Sequence, residues 1–189
     1  MCVNNAHQLF NKKFTEKLLT NDQKYGIINT QRKKRGNKKM MRRTINFDMD
    51  GTIANLYGVN NWLDKLHAED PTPYVEAKPL LRLNTLARML NRLQRQGYNL
   101  AIISWLSKSG SDDYMEAIRQ AKKEWLRKHL PSIQWDRITI ISYGTPKERY
   151  CETIDDILFD DERGNREAWT GKAFDVDNII EILKGLSDE

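Results

Sequence analysis

The sequence has few of the features that mark secreted, membrane or fibrous proteins. Its 189 residues include only two cysteines, Cys2 and Cys151, which excludes a disulfide framework and favours a reducing compartment. No apolar run approaches the roughly 20 residues that cross a bilayer, so no membrane partner is expected. The first residues also lack the apolar segment of a secretory signal. We therefore expect a cytoplasmic protein.

Acidic residues are scarce at the N-terminus, and the charge is split accordingly. Residues 1–43 contain 12 Lys or Arg and two acids, and residues 44–189 contain 19 basic and 24 acidic residues. The overall charge of +5 thus combines a segment of +10 with a remainder of −5. Because clustered like charges repel one another, we predict a basic, flexible extension over 1–43 and one domain over 44–189.

The basic run over 32–43 allows three interpretations. Clustered Lys and Arg displace counterions from a polyphosphate, which favours a nucleic-acid contact. The run could equally be a solvated linker, or translation could begin at Met40 or Met41, directly before the first predicted strand. Apolar residues spaced four apart over 10–18 predict one short amphipathic helix in the extension.

Short β-rich runs alternate with longer helical periods after residue 43. This alternation predicts an α/β fold, a Rossmann-like parallel sheet with helices on both faces. The predicted strands are Thr44–Asp48, Asn99–Ser104, Ile138–Ser142, Ile157–Asp160 and Ala173–Val176. Their nearly continuous apolar character is typical of strands covered on both faces.

Two long helices and one insertion are predicted between these strands. Leucines at helical spacing over 83–93 predict a helix that stops at Gly97, and a second helix is predicted over Asp113–His129. The segment of about 55–78 contains Tyr, Trp and Leu residues interrupted by two prolines. We interpret it as a small helical cap over the mouth of the sheet.

Acidic pairs follow two of the predicted strands. Alternation along the first strand sends Asp48 and Asp50 the same way from its carboxyl end, and Gly51 allows a tight turn. Asp160 and Asp161 follow another apolar run at the same edge. Because crowded carboxylates are unfavourable without a cation, this arrangement predicts a hard divalent ion, most simply Mg²⁺.

A hydroxyl and an ammonium group are expected at the same edge. Ser104 is the last residue of the predicted strand Asn99–Ser104, and Lys147 follows the predicted strand that contains Ile140. A metal ion, an ammonium group and a hydroxyl can together neutralise phosphoryl oxygens while a carboxylate attacks phosphorus. The pattern therefore points to phosphoryl chemistry.

The order of these residues resembles the four motifs of the haloacid dehalogenase superfamily of phosphohydrolases. The motif residues are Asp48-x-Asp50-Gly51-Thr52, then Ser104, then Lys147, then Asp160-Asp161, and the resemblance spans about residues 44–176. It implies a phosphatase or phosphotransferase that requires Mg²⁺. The aspartate at the second position of the first motif disfavours dehalogenation.

The resemblance also implies a role for each motif residue. Asp48 would be the nucleophile that forms an aspartyl-phosphate, and Asp50 the acid and then the base. Asp48, Asp50 through its carbonyl, and Asp161 would hold the metal, with Asp160 in support. The implied phosphate-binding residues are Thr52, Ser104, Lys147 and Lys122.

One branch of the superfamily is more similar than the others. The segments over 160–163 and 122–130 look similar to the 5′(3′)-deoxyribonucleotidase-like proteins. It is this similarity that implies a phosphate-binding role for Lys122. The insertion is shorter than in those enzymes, and Trp105 stands where they usually have a small polar residue. The resemblance implies a nucleotide or a similar small phosphate ester as substrate.

Two other functions stay open at the level of the sequence. The same chemistry could act on a bulky substrate such as a nucleic-acid end, with the 32–43 run as a contact. Alternatively, the fold could be a non-catalytic scaffold whose extension binds a partner. The sequence does not determine the oligomeric state.

Overall fold

A computed structural model describes residues 42–188. Residues 1–41, which include the predicted amphipathic helix and most of the basic run, lie outside the described residues, as does residue 189. The strands are β1 (Thr44–Phe47), β2 (Ala54–Asn55), β3 (Lys78–Pro79), β4 (Asn99–Trp105), β5 (Arg137–Ile141), β6 (Ile157–Phe159) and β7 (Lys172–Phe174). The helices are α1 (Trp62–His67), α2 (Thr72–Glu76), α3 (Leu83–Arg95), α4 (Asp112–His129), α5 (Arg163–Ala168) and α6 (Ile179–Asp188).

Five strands form one parallel sheet in the order β5-β4-β1-β6-β7. In the central strand, Ile45 pairs with Leu100 of β4 on one side and with Ile157 of β6 on the other. Each of the five predicted strands is present, with ends displaced by at most two residues. The predicted α/β fold class is confirmed.

Helices cover both faces of the sheet. On one face, Ile45, Phe47 and other inward residues pack against α3, α4 and α6 in the main core. On the other face, Ile103 and Leu158 pack against Trp169, which follows α5. The edge strand β5 is less covered than its apolar sequence predicted, since Ile138 is 37% exposed.

A small insertion joins β1 to α3. It begins and ends with the antiparallel pair β2–β3 and contains a 3-10 turn (Leu56–Gly58) followed by α1 and α2. The ring of Tyr74 on α2 is buried beside Tyr114 and Ile118 of α4. This contact attaches the insertion to the main domain.

The strand order reverses direction at β1. The chain passes from β1 to β4 and β5 on one side, and then to β6 and β7 on the other. Loops from neighbouring strands separate at such a point, so a crevice forms beyond the carboxyl ends of β1 and β6. Within residues 42–188, none of the helices is long and apolar enough to cross a membrane.

Candidate functional site

Three carboxylates meet in the crevice beyond β1 and β6. Asp48 directly follows β1, and Asp160 and Asp161 directly follow β6. Each offers an oxygen, and these oxygens lie within 4.8 Å of one another. Asp48 and Asp160 are buried, whereas Asp161 is half-buried. The parallel pairing of β1 with β6 is what brings residues more than a hundred positions apart into one cluster.

Lys147 joins two of these carboxylates. It begins the 3-10 turn Lys147–Tyr150 after β5, and its Nζ lies 2.8 Å from Asp48 Oδ1 and 2.7 Å from Asp160 Oδ2. Burial disfavours the charged ammonium, but the two carboxylates outweigh it and hold the pKa of Lys147 above its ordinary value. Lys147 therefore stays charged beside Asp48.

A second buried lysine holds Asp50. Lys122 lies on the inner face of α4, and its Nζ donates to Asp50 Oδ2 at 2.6 Å and to Ser104 Oγ at 2.8 Å. The carbonyl of Trp105 accepts a third bond from the same ammonium at 2.5 Å. Burial raises the pKa of the Asp50 carboxyl, while Lys122 opposes the rise and Asp48 adds to it. The two acidic residues of the first motif thus have different lysine partners.

The charges of the site do not balance. Four carboxylates face two ammonium groups, which leaves an excess of two negative charges. Burial, followed by the charges of Asp48 and Asp160, raises the pKa of Asp161 to about 7. An oxygen-only ligand set with this excess fits one hard divalent cation such as Mg²⁺. The residues that could hold it are Asp48, Asp160 and Asp161.

The turn after Asp50 brings a buried hydroxyl to Asp161. Thr52 Oγ1 accepts a bond from the Asp161 backbone N–H at 3.1 Å and donates to Asp161 Oδ1 at 3.4 Å. Gly51 has a φ of +78°, and a Cβ there would lie 2.2 Å from Asp161 Oδ2 and 2.7 Å from the Tyr57 ring. Only glycine allows this approach without a shift of its neighbours.

Two residues of α5 support the second acidic pair. Asn165 Nδ2 donates to both carboxylate oxygens of Asp160 at 3.2 Å. Arg166 donates at 2.7 Å to the carbonyls of both Asp160 and Asp161, and it also forms an ion pair with Asp175 at 2.7 Å. These bonds hold the backbone that presents the two carboxylates.

A cavity of about 400 Å³ opens over the acidic cluster. Five aromatic side chains line it, three from the insertion, one from the end of β4 and one from the loop after β5: Tyr57, Trp62, Tyr74, Trp105 and Tyr143. Aliphatic residues of the insertion complete the wall, and Lys108 and Glu162 add charges of opposite sign. The cavity therefore combines an apolar wall with a charged floor.

The predicted site residues occupy two layers. Four line the cavity, namely Asp48, Asp50, Lys147 and Asp161. The other four are buried behind them and are not among its lining residues in the described part of the chain, namely Thr52, Ser104, Lys122 and Asp160. In this second layer, Thr52 contacts Asp161, and Ser104 contacts Lys122. The role of these four as phosphate or metal ligands stays a prediction.

Sequence reasoning missed several residues of the site. Asn165 and Arg166 lie on the first turn of α5, five or six residues after the acidic residues that they contact, so only this closeness in sequence could have indicated them. Ser107 and Lys108 line the cavity from the loop after β4, but nothing in their local sequence distinguishes them from solvated loop residues. They become part of the cavity wall only in the folded structure, where the insertion lines the same cavity.

Comparisons with known proteins give a limited likeness. No family model matches the chain, and no curated protein matches it. Among solved structures, the fold is similar to the crystal structure of D,D-heptose 1,7-bisphosphate phosphatase from Burkholderia thailandensis, with a TM-score of 0.41 and 14% sequence identity. This match covers 67% of the present chain and 71% of that one.

Proposed function

We propose that the protein is a Mg²⁺-dependent phosphomonoesterase that forms an aspartyl-phosphate, with a nucleotide or a similar small phosphate ester as substrate. One observation carries the proposal. Asp48 lines the cavity with an ammonium group 2.8 Å away, and its carboxylate oxygen lies within 4.8 Å of oxygens from two further carboxylates. Phosphoryl transfer requires a nucleophile, a positive group that neutralises the phosphoryl oxygens, and oxygen ligands for a metal ion, all at one place.

The proposed reaction has two steps. A carboxylate oxygen of Asp48 attacks phosphorus, the bond from phosphorus to the ester oxygen breaks, and Asp50 gives its proton to that oxygen. Asp50 then takes a proton from water, whose oxygen attacks phosphorus. The bond from phosphorus to the Asp48 oxygen breaks, which restores the Asp48 carboxylate and releases inorganic phosphate. Burial raises the pKa of Asp50, although Lys122 opposes the rise, and a raised pKa is the direction that a proton-donating carboxyl requires.

The lysines and the metal ligands have separate tasks in this proposal. Lys147 neutralises charge on the phosphoryl oxygens beside Asp48, and Lys122 orients Asp50. Asp48, Asp161 and the Asp50 carbonyl would hold Mg²⁺, with Asp160 in support. When bound, the ion would neutralise phosphoryl oxygens as a Lewis acid.

The cavity wall supports a substrate with a planar group. Aromatic side chains are well suited to pack against a nucleobase, and small-molecule sites are mostly apolar with a few polar groups. The volume of about 400 Å³ lies at the small end of the range for ligand pockets. A mononucleotide fits this combination better than a large phosphoprotein does.

The direct test is Asp48→Asn with a panel of phosphate esters and Mg²⁺. We expect the wild type to release phosphate from nucleoside monophosphates, and the variant to lose more than about 10³-fold in kcat, as expected for a lost covalent nucleophile. Acid quenching during turnover should trap labelled phosphate on the wild type alone. The exposed Asp155→Asn is the matched control and should keep full activity. Undiminished turnover in Asp48→Asn would refute the proposal.

A second candidate substrate is a phosphorylated nucleic-acid end. The charge of +10 over residues 1–43 favours it, since such a segment could bind a strand whose end reaches the site. The test changes the six basic residues over 32–39 to Gln in the full chain and compares a mononucleotide with a 5′-phosphorylated oligonucleotide. A selective, salt-dependent loss on the oligonucleotide would support this substrate.

The same experiment tests a non-catalytic function. If no ester is hydrolysed and the Gln variant loses binding to nucleic acid, the domain is a scaffold for the basic segment. The three clustered carboxylates and the neighbouring Asp50 disfavour that outcome, because a site without chemistry has no physical reason to keep them.

A further inference from the structure

The side chain of Trp105 lies against the loop that carries Lys147. Trp105 ends β4, and the loop over 142–147 follows the neighbouring strand β5. The indole Nε1–H donates to the carbonyl of Thr145 at 2.9 Å, and the Tyr143 ring packs on the indole with centroids 5.1 Å apart. Lys147 Nζ lies 4.9 Å from the indole centroid. One side chain thus contacts three alternate residues of a single loop.

The first half of this loop is exposed to solvent. Ser142, Tyr143 and Gly144 are exposed, and Gly144 has a φ of +75° in a turn closed by one backbone bond from Thr145 N to Ser142 O. Exposed turns of this kind have many accessible conformations. Lys147, however, must keep its ammonium group within 3 Å of two carboxylates.

We propose that Trp105 is a positioning residue that fixes the 142–147 loop and thereby holds Lys147 at Asp48 and Asp160. The indole N–H fixes the loop backbone, and the indole face attracts the ammonium group. Trp105 also contacts Lys122 through its backbone carbonyl, a bond that does not depend on its side chain. The kinetic consequence rests on the proposed phosphatase function, but the positioning of Lys147 does not.

The experiment compares Trp105→Phe and Trp105→Leu with the wild type. Phe keeps an aromatic face and loses the N–H donor, and Leu loses both. We expect kcat to fall in the order wild type, Phe, Leu, by about 10- to 100-fold for Leu, since small displacements of a catalytic group have effects of this size. KM should change little. Thr145→Ala keeps the carbonyl acceptor and is the matched control, with kcat equal to that of the wild type.

A second measurement does not require turnover. Competitive labelling of amines, followed by peptide mass spectrometry, compares the reactivity of Lys147 with that of Lys122 in each folded protein. Trp105→Leu should raise labelling of Lys147 severalfold and leave Lys122 as an internal reference. If the wild type hydrolyses no ester, the proposed function fails and this measurement alone decides the role of Trp105.

Three results would overturn the inference. Unchanged labelling of Lys147 in Trp105→Leu would mean that the loop is held without the indole. A rise in KM with an unchanged kcat would assign Trp105 to substrate contact, as its place on the cavity wall allows. A lower melting temperature with normal kcat and labelling would reduce it to a residue of structural packing.

Discussion

Buried lysines are the residues on which this site depends most. Lys122 and Lys147 are each 1% exposed, a burial that is tolerated only when the ammonium group is paired. Each has at least two oxygen partners from other elements. The sequence could suggest that both bind phosphate, but it could not show that Lys122 is bonded to Asp50 and Ser104 behind the cavity wall.

Replacement of Lys122 tests this pairing. Lys122→Met has a similar length and leaves Asp50 without its ammonium partner. Removing one member of a buried ion pair costs about 3–5 kcal/mol, and the partial exposure of Asp50 reduces this to about 2–3 kcal/mol of the free energy of unfolding. Urea denaturation measures the change.

The neighbouring Lys123 offers the matched control. It is exposed on the same helix, so Lys123→Met should change the free energy of unfolding by less than about 0.5 kcal/mol. Equal stability of the Lys122 and Lys123 variants would show that the Lys122–Asp50 pair contributes nothing to folding.

At the scale of elements, the strands follow from local sequence and the connections do not. Each strand of the parallel sheet is a short apolar run, so its position could be predicted from the sequence to within two residues. The predicted second helix, over Asp113–His129, starts one residue earlier in the structure, where Ser111 accepts a bond from Tyr114 N as the N-cap. The loop between the 3-10 turn Lys147–Tyr150 and β6 is held by one buried acidic residue, which no local sequence pattern indicates.

That residue is Asp156, which connects the loop before β6 to the start of β1. Its carboxylate accepts bonds from the N–H groups of Thr44, Glu152 and Thr153 at 2.8–3.1 Å, and it is fully buried. Asp156→Ala would leave the buried Thr44 N–H, and the partly buried N–H groups of Glu152 and Thr153, without this acceptor. We expect the free energy of unfolding to fall by about 2–4 kcal/mol, measured by urea denaturation.

The adjacent Asp155 distinguishes this role from a general effect of charge. Asp155 is exposed and its ion pair with Lys172 spans 3.8 Å, so Asp155→Ala should cost less than about 0.5 kcal/mol. If both variants lost the same stability, the hydrogen bonds of Asp156 could not be the cause.

At the scale of the whole molecule, the excess negative charge of the site predicts stabilisation by divalent cations. We expect Mg²⁺ to bind the folded cluster and not the unfolded chain, so the melting temperature should rise with Mg²⁺ concentration. At 100 times the dissociation constant, the gain is about 2.7 kcal/mol. Thermal unfolding with and without Mg²⁺ measures this gain.

Asp161→Asn supplies the comparison for that titration. It removes one of the three clustered carboxylates, and we expect it to abolish most of the Mg²⁺-dependent rise in melting temperature. Asp155→Asn should retain the full rise. A rise of the same size in all three proteins would place the cation elsewhere.

The sequence by itself determined the fold class, the places of the strands and the order of the acidic residues at strand ends. These features depend on residues that are close together in the sequence, so the spacing of apolar residues and the positions of turn residues predict them. It also separated a basic segment from an acidic domain.

The tertiary structure decided which charges meet. Lys147 and Asp48 are 99 positions apart, and Lys122 and Asp50 are 72 apart, so no local pattern specifies either pair. The parallel sheet brings the acidic strand ends to one crevice, and the packing of α4 and of the loop after β5 selects the lysine that each carboxylate receives. Burial then raises the pKa of Asp50, because the cost of a charge depends on the surroundings that only the folded chain supplies.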